Sequence, residues 1–181
     1  MKKIFLISGK SGSGKDTFAK FLKDQLETDK ILTLHFGDPV KDFARSVYGW
    51  NGEKDEQGRK LLQSIGTDWV KTKFPTYWAE IIAKFIAATT DQWDYVLVPD
   101  WRFEDEYATL CEYNGVENIV TIRIERFTAD GKPYYNPAMR INQLTHVSEC
   151  ALDNYNFEWI IGHSTENQLA ESAEKFVKEY V

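Results

Sequence analysis

The sequence predicts an α/β protein in which helices cover both faces of a mostly parallel sheet of about five strands. Two observations predict this three-layer α/β/α class. Short apolar segments alternate along the 181 residues with longer segments whose apolar side chains recur at helical spacing. The segment 93–100 is also apolar enough to lie in the middle of a parallel sheet, where both faces are buried. A chain of this length fits a single domain.

The first half of the chain begins with a strand and continues into a long helical region. Residues 4–7 are an apolar run that is too short for a secretion signal and is typical of a buried strand. The pattern after this run predicts a helix over 17–27, a strand over 31–36, a turn at 37–39, and helices over 40–88 with breaks near 49–52, 66–67 and 75.

The second half alternates strands and helices more regularly. It is predicted to hold strands over 93–100, 118–125 and 157–161, helices over 103–113, 147–152 and 166–180, and an irregular loop over 127–145. Pro99 has no N–H to donate, so we expect it at the margin of its strand. A polar loop as long as 127–145 usually closes over a site or is disordered.

The composition is that of an acidic globular protein. Hydrophobic residues make up 43% of the chain, the formal net charge is −6 and the pI is about 5.2. Such a surface repels a nucleic-acid backbone, and no segment approaches the roughly 20 apolar residues that span a bilayer, so we expect neither polynucleotide nor membrane partners. Cys111 and Cys150 lack metal-site spacing, and we expect a reducing, cytoplasmic location. The oligomeric state stays open, with a homodimer among the alternatives.

A glycine-rich segment after the first strand carries the most specific signal. The spacing Gly9-x-x-x-x-Gly14-Lys15 fits the P-loop, in which backbone N–H groups converge on phosphate oxygens and the lysine reaches the terminal phosphates. We therefore expect this segment to bind a nucleotide through Gly9, Ser11, Gly12, Ser13, Gly14, Lys15, Asp16 and Thr17.

The residue that follows the lysine departs from the generic motif. Ser or Thr usually stands there, whereas this chain has Asp16 and delays the hydroxyl to Thr17. A delayed hydroxyl also occurs in nucleoside monophosphate kinases, so the loop is more typical of a small-molecule kinase than of a GTPase or motor. A carboxylate beside polyphosphate is repelled unless Mg²⁺ lies between them, which makes Asp16 a metal-shell or proton-handling candidate. The alternative is that Asp16 only caps the helix.

Charged residues also stand at the carboxyl ends of the later predicted strands, the edge at which parallel sheets bind ligands. Asp100 follows an apolar strand as a magnesium-binding carboxylate would, so the metal candidates are Thr17, Asp16 and Asp100. Arg102 is then a candidate for the phosphate of an acceptor. Asp38, at the end of the second predicted strand, could also belong to the site. An Asx turn before proline is an equally good interpretation of this residue.

Two arginines near the loop 127–145 are candidate catalytic cations. Arg126 lies just beyond the fourth strand and Arg140 lies in the loop, and each guanidinium offers a rigid fork of donors for phosphate oxygens. A solvated surface role is the alternative for either one. The three histidines, His35, His146 and His163, lack metal-site spacing, and we expect structural or surface roles for them.

Five segments in this order resemble the phage-type deoxynucleoside monophosphate kinases, a branch of the P-loop nucleotide kinases. They are residues 9–17 with the ending Gly-Lys-Asp-Thr, 36–41 (Phe-Gly-Asp-Pro-Val-Lys), 62–68 (Leu-Gln-Ser-Ile-Gly-Thr-Asp), 100–106 (Asp-Trp-Arg-Phe-Glu-Asp-Glu) and 145–149 (Thr-His-Val-Ser-Glu). The resemblance covers the chain nearly end to end.

The resemblance implies transfer of the γ-phosphate of ATP, with Mg²⁺, to a deoxynucleoside 5′-monophosphate. It implies a nucleoside-monophosphate-kinase-like core (1–37, 92–126 and 146–181), a helical acceptor-binding insertion (38–91) and a lid (127–145). Carried over by position, Lys15, Asp16, Arg126 and Arg140 would act in catalysis. The residues that would face the acceptor are Asp38, Lys41, Trp69, Lys71, Asp100, Arg102 and Glu106, with Trp78 as an alternative to Trp69.

Some positions depart from the family pattern, and they bear on the choice of acceptor. Lys71 stands where the family often has an arginine, Trp101 is bulky where a small β-branched residue is usual, and 162–164 lacks the usual Asn and Gly. A second hypothesis is therefore a P-loop kinase for another phosphorylated metabolite, such as a phosphomevalonate-type acceptor. A third, from another class, is a nucleotide-binding regulator without catalysis. The accepted base and sugar stay open.

Overall fold

A computed structural model describes residues 3–181 and confirms the α/β class, with one sheet of five parallel strands. The first two residues of the predicted core segment 1–37 lie outside this range. The strand order is β2-β3-β1-β4-β5, and every adjacent pair is parallel. The strands are β1 (Lys3–Ser8), β2 (Ile31–Thr33), β3 (Tyr95–Trp101), β4 (Ile119–Arg126) and β5 (Trp159–His163).

Eight α-helices and one π-helix are found among the described residues. They are α1 (Lys15–Gln25), α2 (Gly37–Tyr48), α3 (Glu56–Gln63), the π-helix (Ser64–Lys71), α4 (Tyr77–Ala88), α5 (Glu104–Asn114), α6 (Ile141–Leu144), α7 (Val147–Cys150) and α8 (Glu166–Tyr180). The predicted last helix, 166–180, is confirmed to the residue. None of the helices in this part of the chain is long and apolar enough to cross a membrane.

The alternation of side chains along β1 builds the two halves of the core. Phe5 and Ile7 belong to a buried cluster with residues of α1 and α8, whereas Ile4 and Leu6 belong to a second cluster with residues of α4 and α5. This is the period of two expected for a strand buried on both faces. The helices thus form one layer on each side of the sheet, as predicted.

The segment that joins β2 to α4 has a small core of its own. Val40, Ala44, Trp50 and Ile65 are buried together, with Trp78 packed against them at the edge. This cluster fixes α2, α3 and the π-helix relative to each other. It therefore holds one wall of the cleft described below.

The structure contradicts three predictions in this region. The second strand ends at Thr33 rather than at 36, and the predicted turn 37–39 is the first turn of α2. The predicted break at 66–67 is absent, since both residues lie inside the π-helix. A Cβ at Gly66 would lie 3.4 Å from Val40, an ordinary van der Waals contact, so this glycine neither ends the helix nor is required by its packing on α2.

Pro99 lies inside β3 and not at its margin, which corrects the prediction. The register between β1 and β3 shifts there: Leu6 pairs with Val98, but Ser8 pairs with Trp101. On the other side, β2 pairs with β3 only as far as Leu97. A proline is tolerated at this point because the bulge interrupts the hydrogen-bond ladder. No ladder bond therefore requires an N–H from Pro99.

Candidate active site

A cleft of about 400 Å³ opens at the carboxyl ends of the strands, where the strand order reverses around β1. This is the position at which open α/β sheets bind ligands. The glycine-rich loop forms one side of the cleft, and α2, α3, the π-helix and the residues after β3 form the other. The cleft therefore brings together most of the charged residues that the sequence singled out.

The loop between β1 and α1 has the geometry of a P-loop. Gly9 has φ 153°, and a side chain there would come within 2.5 Å of the carbonyl oxygen of Ile124. Lys15 is buried at the start of α1, and its ammonium donates to the carbonyl oxygens of Gly9 (2.8 Å) and Lys10 (2.9 Å). Burial, with Arg102 nearby, lowers the pKa of Lys15 to about 8. An anion bound in the loop would stabilise the charged form.

His163, at the end of β5, supports this loop from behind. Its Nε2 lies 2.7 Å from the carbonyl oxygen of Ser13 and must donate, because a carbonyl only accepts. His163 is buried, and this contact ties the end of β5 to the loop. The hydroxyl of Ser13 is also buried and has no hydrogen-bond partner among the described residues.

Asp16 joins a chain of charged side chains at the edge of the cleft. His35 lies between two carboxylates, with Nε2 3.1 Å from Asp16 and Nδ1 3.3 Å from Asp38. Asp38 also pairs with Lys41 at 2.7 Å. The hydrogen bond with His35 lowers the pKa of Asp16, and the same bond raises the pKa of His35. Asp16, His35 and Lys41 line the cleft, whereas Asp38 is not among its lining residues.

Asp100 connects β3 to the start of α2. Its two carboxylate oxygens accept from the backbone N–H groups of Phe36 (2.8 Å) and Gly37 (2.9 Å). These are unpaired donors at a helix N-terminus, which a carboxylate satisfies well. The bonds begin α2 at Gly37 and so explain why the predicted turn is helical. Asp100 also lines the cleft, as predicted from its place at the strand end.

Arg102 and Glu149 form an ion pair at the bottom of the cleft. One guanidinium nitrogen of Arg102, Nη1, contacts the carboxylate of Glu149 and donates to the carbonyl oxygen of Ser148 at 2.9 Å. The other oxygen of Glu149 accepts from the backbone N–H of Ser11 at 2.8 Å. Burial raises the pKa of Glu149, but the ion pair with Arg102 outweighs this and lowers it overall. Glu149 belongs to a quoted motif, yet the sequence assigned it no role.

Glu106 is a buried carboxyl group in the wall of the cleft. One oxygen, Oε2, accepts from the backbone N–H groups of Arg102 (2.8 Å) and Phe103 (3.0 Å), which caps α5. Burial raises its pKa to about 8. At neutral pH the group therefore holds a proton and can donate a hydrogen bond.

This raised pKa predicts that Glu106 makes stability depend on pH. Between pH 4.5 and 8 the native state keeps a proton that the unfolded state loses, so the free energy of unfolding falls with rising pH by up to about 1.4 kcal/mol per pH unit from this group. Glu106→Gln keeps an oxygen acceptor and removes the titration. In urea unfolding at pH 5, 6, 7 and 8, the free energy of unfolding of the variant should rise relative to that of the wild type at each step. If wild type and variant differ in free energy of unfolding by the same amount at pH 5 and at pH 8, the raised pKa of Glu106 is contradicted.

The two remaining predicted acceptor residues lie differently. Lys71 lines the cleft and pairs with Asp105 at 2.5 Å. The structure does not bring Trp69 to the cleft, because its half-exposed ring packs on Tyr48 at the outer surface. Trp78 lines the cleft instead, and its indole N–H is buried without a hydrogen-bond partner in the described chain.

The predicted catalytic arginines stand outside the cleft. Arg126 donates to the carbonyl oxygen of Gly12 (3.2 Å) and lies over the ring of Tyr134. Arg140 pairs at 2.7 Å with Glu56 at the start of α3, and both side chains are exposed. From the segment 127–145, Met139 and Gln143 line the cleft. The loop therefore borders the cleft through two residues that were not predicted to lie there, and its role as a lid stays a prediction.

Two cations that the sequence did not single out line the cleft. Lys54 comes from the loop before α3 and Arg59 from α3 itself, and neither forms an ion pair within 4.0 Å with a carboxylate of residues 3–181. Arg59 Nε donates to the carbonyl oxygen of Lys54 at 2.9 Å, which ties the two together. No motif marks them, and only the fold brings them opposite the P-loop.

Comparison with known proteins adds to this description. No family model matches the chain. A phosphomevalonate kinase from Drosophila melanogaster is 27% identical over 132 residues, which are 68% of this chain and 68% of that protein. A sugar kinase structure from Janibacter sp. aligns over 98% of this chain and 95% of that one, at 16% identity and a TM-score of 0.54. A tunicamycin resistance protein from Deinococcus radiodurans aligns over 98% and 96%, at 13% identity and a TM-score of 0.53.

These similarities establish a class. The strand order, the glycine-rich loop and the structural likenesses together give the chain a P-loop kinase fold. The sequence similarity to a phosphomevalonate kinase agrees with this class. The deoxynucleoside monophosphate specificity that the resemblance implied has no counterpart among these relatives, so the acceptor is taken up as a proposal.

Proposed function

We propose that this chain is a kinase that transfers the γ-phosphate of ATP to a phosphorylated small molecule. One observation carries the proposal: a single cleft is lined by the P-loop on one side and by five cations on the other. Phosphoryl transfer needs charge neutralisation and in-line positioning more than covalent help from the protein. The five cations are Lys41, Lys54, Arg59, Lys71 and Arg102.

The P-loop would hold the donor nucleotide. Its backbone N–H groups and Lys15 would bind the β- and γ-phosphates, and the unpaired hydroxyl of Ser13 is a group that a phosphate oxygen would satisfy. This arrangement supports ATP as the donor. Bound phosphate would also give the buried Lys15, whose pKa is lowered by burial, an anionic partner.

Mg²⁺ fits the oxygen donors around the loop. Among the described residues, no group of three or more acidic, histidine or cysteine side chains is placed to hold a metal ion, but Mg²⁺ is usually held by one or two carboxylates together with substrate phosphates. Thr17 and the exposed Asp16 would supply oxygens beside the loop. Asp100 would contribute through water, because both of its oxygens already accept backbone N–H groups. Bound Mg²⁺ would neutralise charge on the transferring phosphoryl group.

The acceptor would occupy the half of the cleft beyond the P-loop. Arg102 and Lys71 would bind its phosphate, and the apolar side chains of Val40, Leu62 and Trp78 would pack against its body. A phosphate acceptor is already an anion and needs no strong base. The protein would therefore accelerate transfer by orientation and electrostatic stabilisation.

Two acceptor classes are supported by different observations. The resemblance of five segments to phage-type kinases supports a deoxynucleoside 5′-monophosphate. Similarity to a phosphomevalonate kinase supports a phosphorylated carboxylic acid. Lys54 and Arg59 support it too, since two cations that form no close ion pair among the described residues suit a second anionic group.

A coupled assay of ADP release separates these readings. The panel contains the four deoxynucleoside monophosphates, the matching ribonucleotides and phosphomevalonate. Stimulation by nucleotides only, or by phosphomevalonate only, assigns the acceptor class. If ATP binds but no compound stimulates turnover, the catalytic proposal fails and a nucleotide-binding regulator becomes the better description.

Arg59→Gln should weaken binding of whichever acceptor is used. Losing one charge-assisted hydrogen bond should raise the KM for the acceptor roughly 10- to 100-fold and leave the KM for ATP within about threefold. Lys60→Gln is the matched control, because Lys60 is an exposed cation on the same helix. Steady-state kinetics with both substrates varied measures this. An unchanged acceptor KM would show that Arg59 does not contact the acceptor.

A further inference from the structure

We propose that Glu149 is a positioning residue that fixes the P-loop and Arg102 relative to each other, and thereby aligns donor and acceptor for transfer. The inference rests on the proposed function. Glu149 is buried at the start of α7, beneath the cleft that the two substrates would share. No role for this side chain follows from the P-loop motif itself.

The contacts of Glu149 reach both halves of the site. Oε2 accepts from the backbone N–H of Ser11 at 2.8 Å, and Oε1 pairs with Nη1 of Arg102. Two backbone carbonyl groups of α7 contact the same two parts of the site. The carbonyl oxygen of Glu149 accepts from Nζ of Lys10 at 2.7 Å, and the carbonyl oxygen of Ser148 accepts from Arg102. Helix α7 is therefore bonded to the P-loop and to the residue after β3 at the same point.

The ion pair also determines which face of Arg102 is offered to the cleft. Nη1 is used by Glu149 and Ser148, while Nε and Nη2 make no hydrogen bond with the residues that the structure describes. A guanidinium held at one nitrogen presents its remaining donors in a fixed direction, which suits a phosphate. A displacement of the P-loop at Ser11 would be passed to Arg102 through one carboxylate. Small errors in such alignment reduce transfer strongly.

Only a carboxylate of this length can make both contacts. Each oxygen of Glu149 faces a donor, so two acceptors are required. In Glu149→Gln one of the two positions becomes an NH₂ group, and in either amide orientation a donor faces a donor. The substitution keeps the volume and removes one side of the link. It therefore tests the link without opening a cavity.

The kinetic test is a double-mutant cycle with Glu149→Gln, Arg102→Gln and the double variant, using the acceptor that the wild type accepts. Glu149→Gln should lower kcat roughly 10- to 100-fold, with both KM values within about threefold. The double variant should be no more than about twofold slower than Arg102→Gln, because Glu149 acts through Arg102. The proposal would be overturned if the kcat losses of the two single variants multiply in the double variant. It would also be overturned if the kcat of Glu149→Gln stays within twofold of the wild type. A lower acceptor KM would overturn it too, since it would mean that Glu149 occupies the acceptor's place.

Glu158→Gln is the matched control. Glu158 also accepts a backbone N–H, that of Thr121 at 3.2 Å, but it precedes β5 at the opposite edge of the sheet. Its kcat should stay within about twofold of the wild type, and thermal unfolding of all variants checks folding.

A spectroscopic measurement keeps the inference separate from the proposed activity. In ¹⁵N NMR of the wild type, ATP added without acceptor should shift the Nε–H signal of Arg102, because binding at the P-loop is passed on through Glu149. The shift should be lost in Glu149→Gln and kept in Glu158→Gln. If no acceptor is ever turned over, the proposed function fails while this result still decides the link. An equal shift in Glu149→Gln would overturn the inference whatever the activity.

Discussion

Replacing Lys15 by methionine is expected to lower acceptor-dependent ADP release on the order of 10²- to 10³-fold. The ammonium of Lys15 is buried at the P-loop and is placed to meet the terminal phosphates, where a preorganised cation stabilises the charge that moves during transfer. Methionine keeps an unbranched apolar stem of similar size and removes the ammonium. The loss should therefore appear mainly in kcat.

The same substitution should not unfold the protein. Burial lowers the pKa of Lys15 to about 8, which shows that the charged form costs free energy at this position before a phosphate binds. Removing that charge should leave the melting temperature unchanged or raise it. Lys23→Met on the exposed face of α1 is the control for the substitution itself. Turnover retained in Lys15→Met would show that the P-loop is not the donor site.

The predictable part of this site is the part encoded locally. A P-loop is a run of consecutive residues whose glycines and lysine serve one ligand, so the strand-loop-helix geometry around residues 9–17 could be predicted from the sequence alone. Asp100 and Arg102 could be placed because a carboxyl strand end is a defined location in a parallel sheet. In both cases one short segment of sequence carries the recognisable motif and also determines where that motif lies in the fold.

The unpredicted part depends on contacts between distant segments. Glu149 meets Ser11 across 138 positions of the sequence, and Arg102 across 47. Lys54 and Arg59 belong to an ordinary polar stretch, and only the packing of α3 on α2 turns them to the cleft. Hydrophobic periodicity specifies which face of a helix is buried, but it carries no information about what stands opposite the polar face.

The arginines Arg126 and Arg140 show the reverse case. Their residue type and their place near a long loop suit a catalytic cation, yet each is engaged elsewhere: Arg126 by Gly12 and Tyr134, and Arg140 by Glu56. Long charged side chains on a loop have many accessible partners, so position in sequence does not fix their direction. Their catalytic role stays a prediction that would require both to leave these contacts.

Trp101 lies between the two charged residues that the sequence placed at the end of β3, and its replacement should have the largest effect on stability. The ring is fully buried. It meets Tyr155 and Phe157 edge-on at centroid distances of 4.8 and 5.3 Å, and its indole N–H donates to the carbonyl oxygen of Phe103 at 2.7 Å. Trp101, which is bulkier than the residue usual in the family, thus packs inside an aromatic cluster. Its hydrogen bond to Phe103 also fixes the turn that leads into α5.

Trp101→Ala is therefore expected to lower the free energy of unfolding by about 3–5 kcal/mol, the usual range for removing a buried aromatic ring. At roughly 2–4 °C per kcal/mol for a chain of this size, the melting temperature should fall by about 10 °C. Trp69→Ala is the matched control, since Trp69 is 48% exposed and should cost no more than about 1 kcal/mol. Urea unfolding at pH 7 compares the two variants. Equal losses would mean that the aromatic cluster repacks around the missing ring and would contradict the expected cost of removing it.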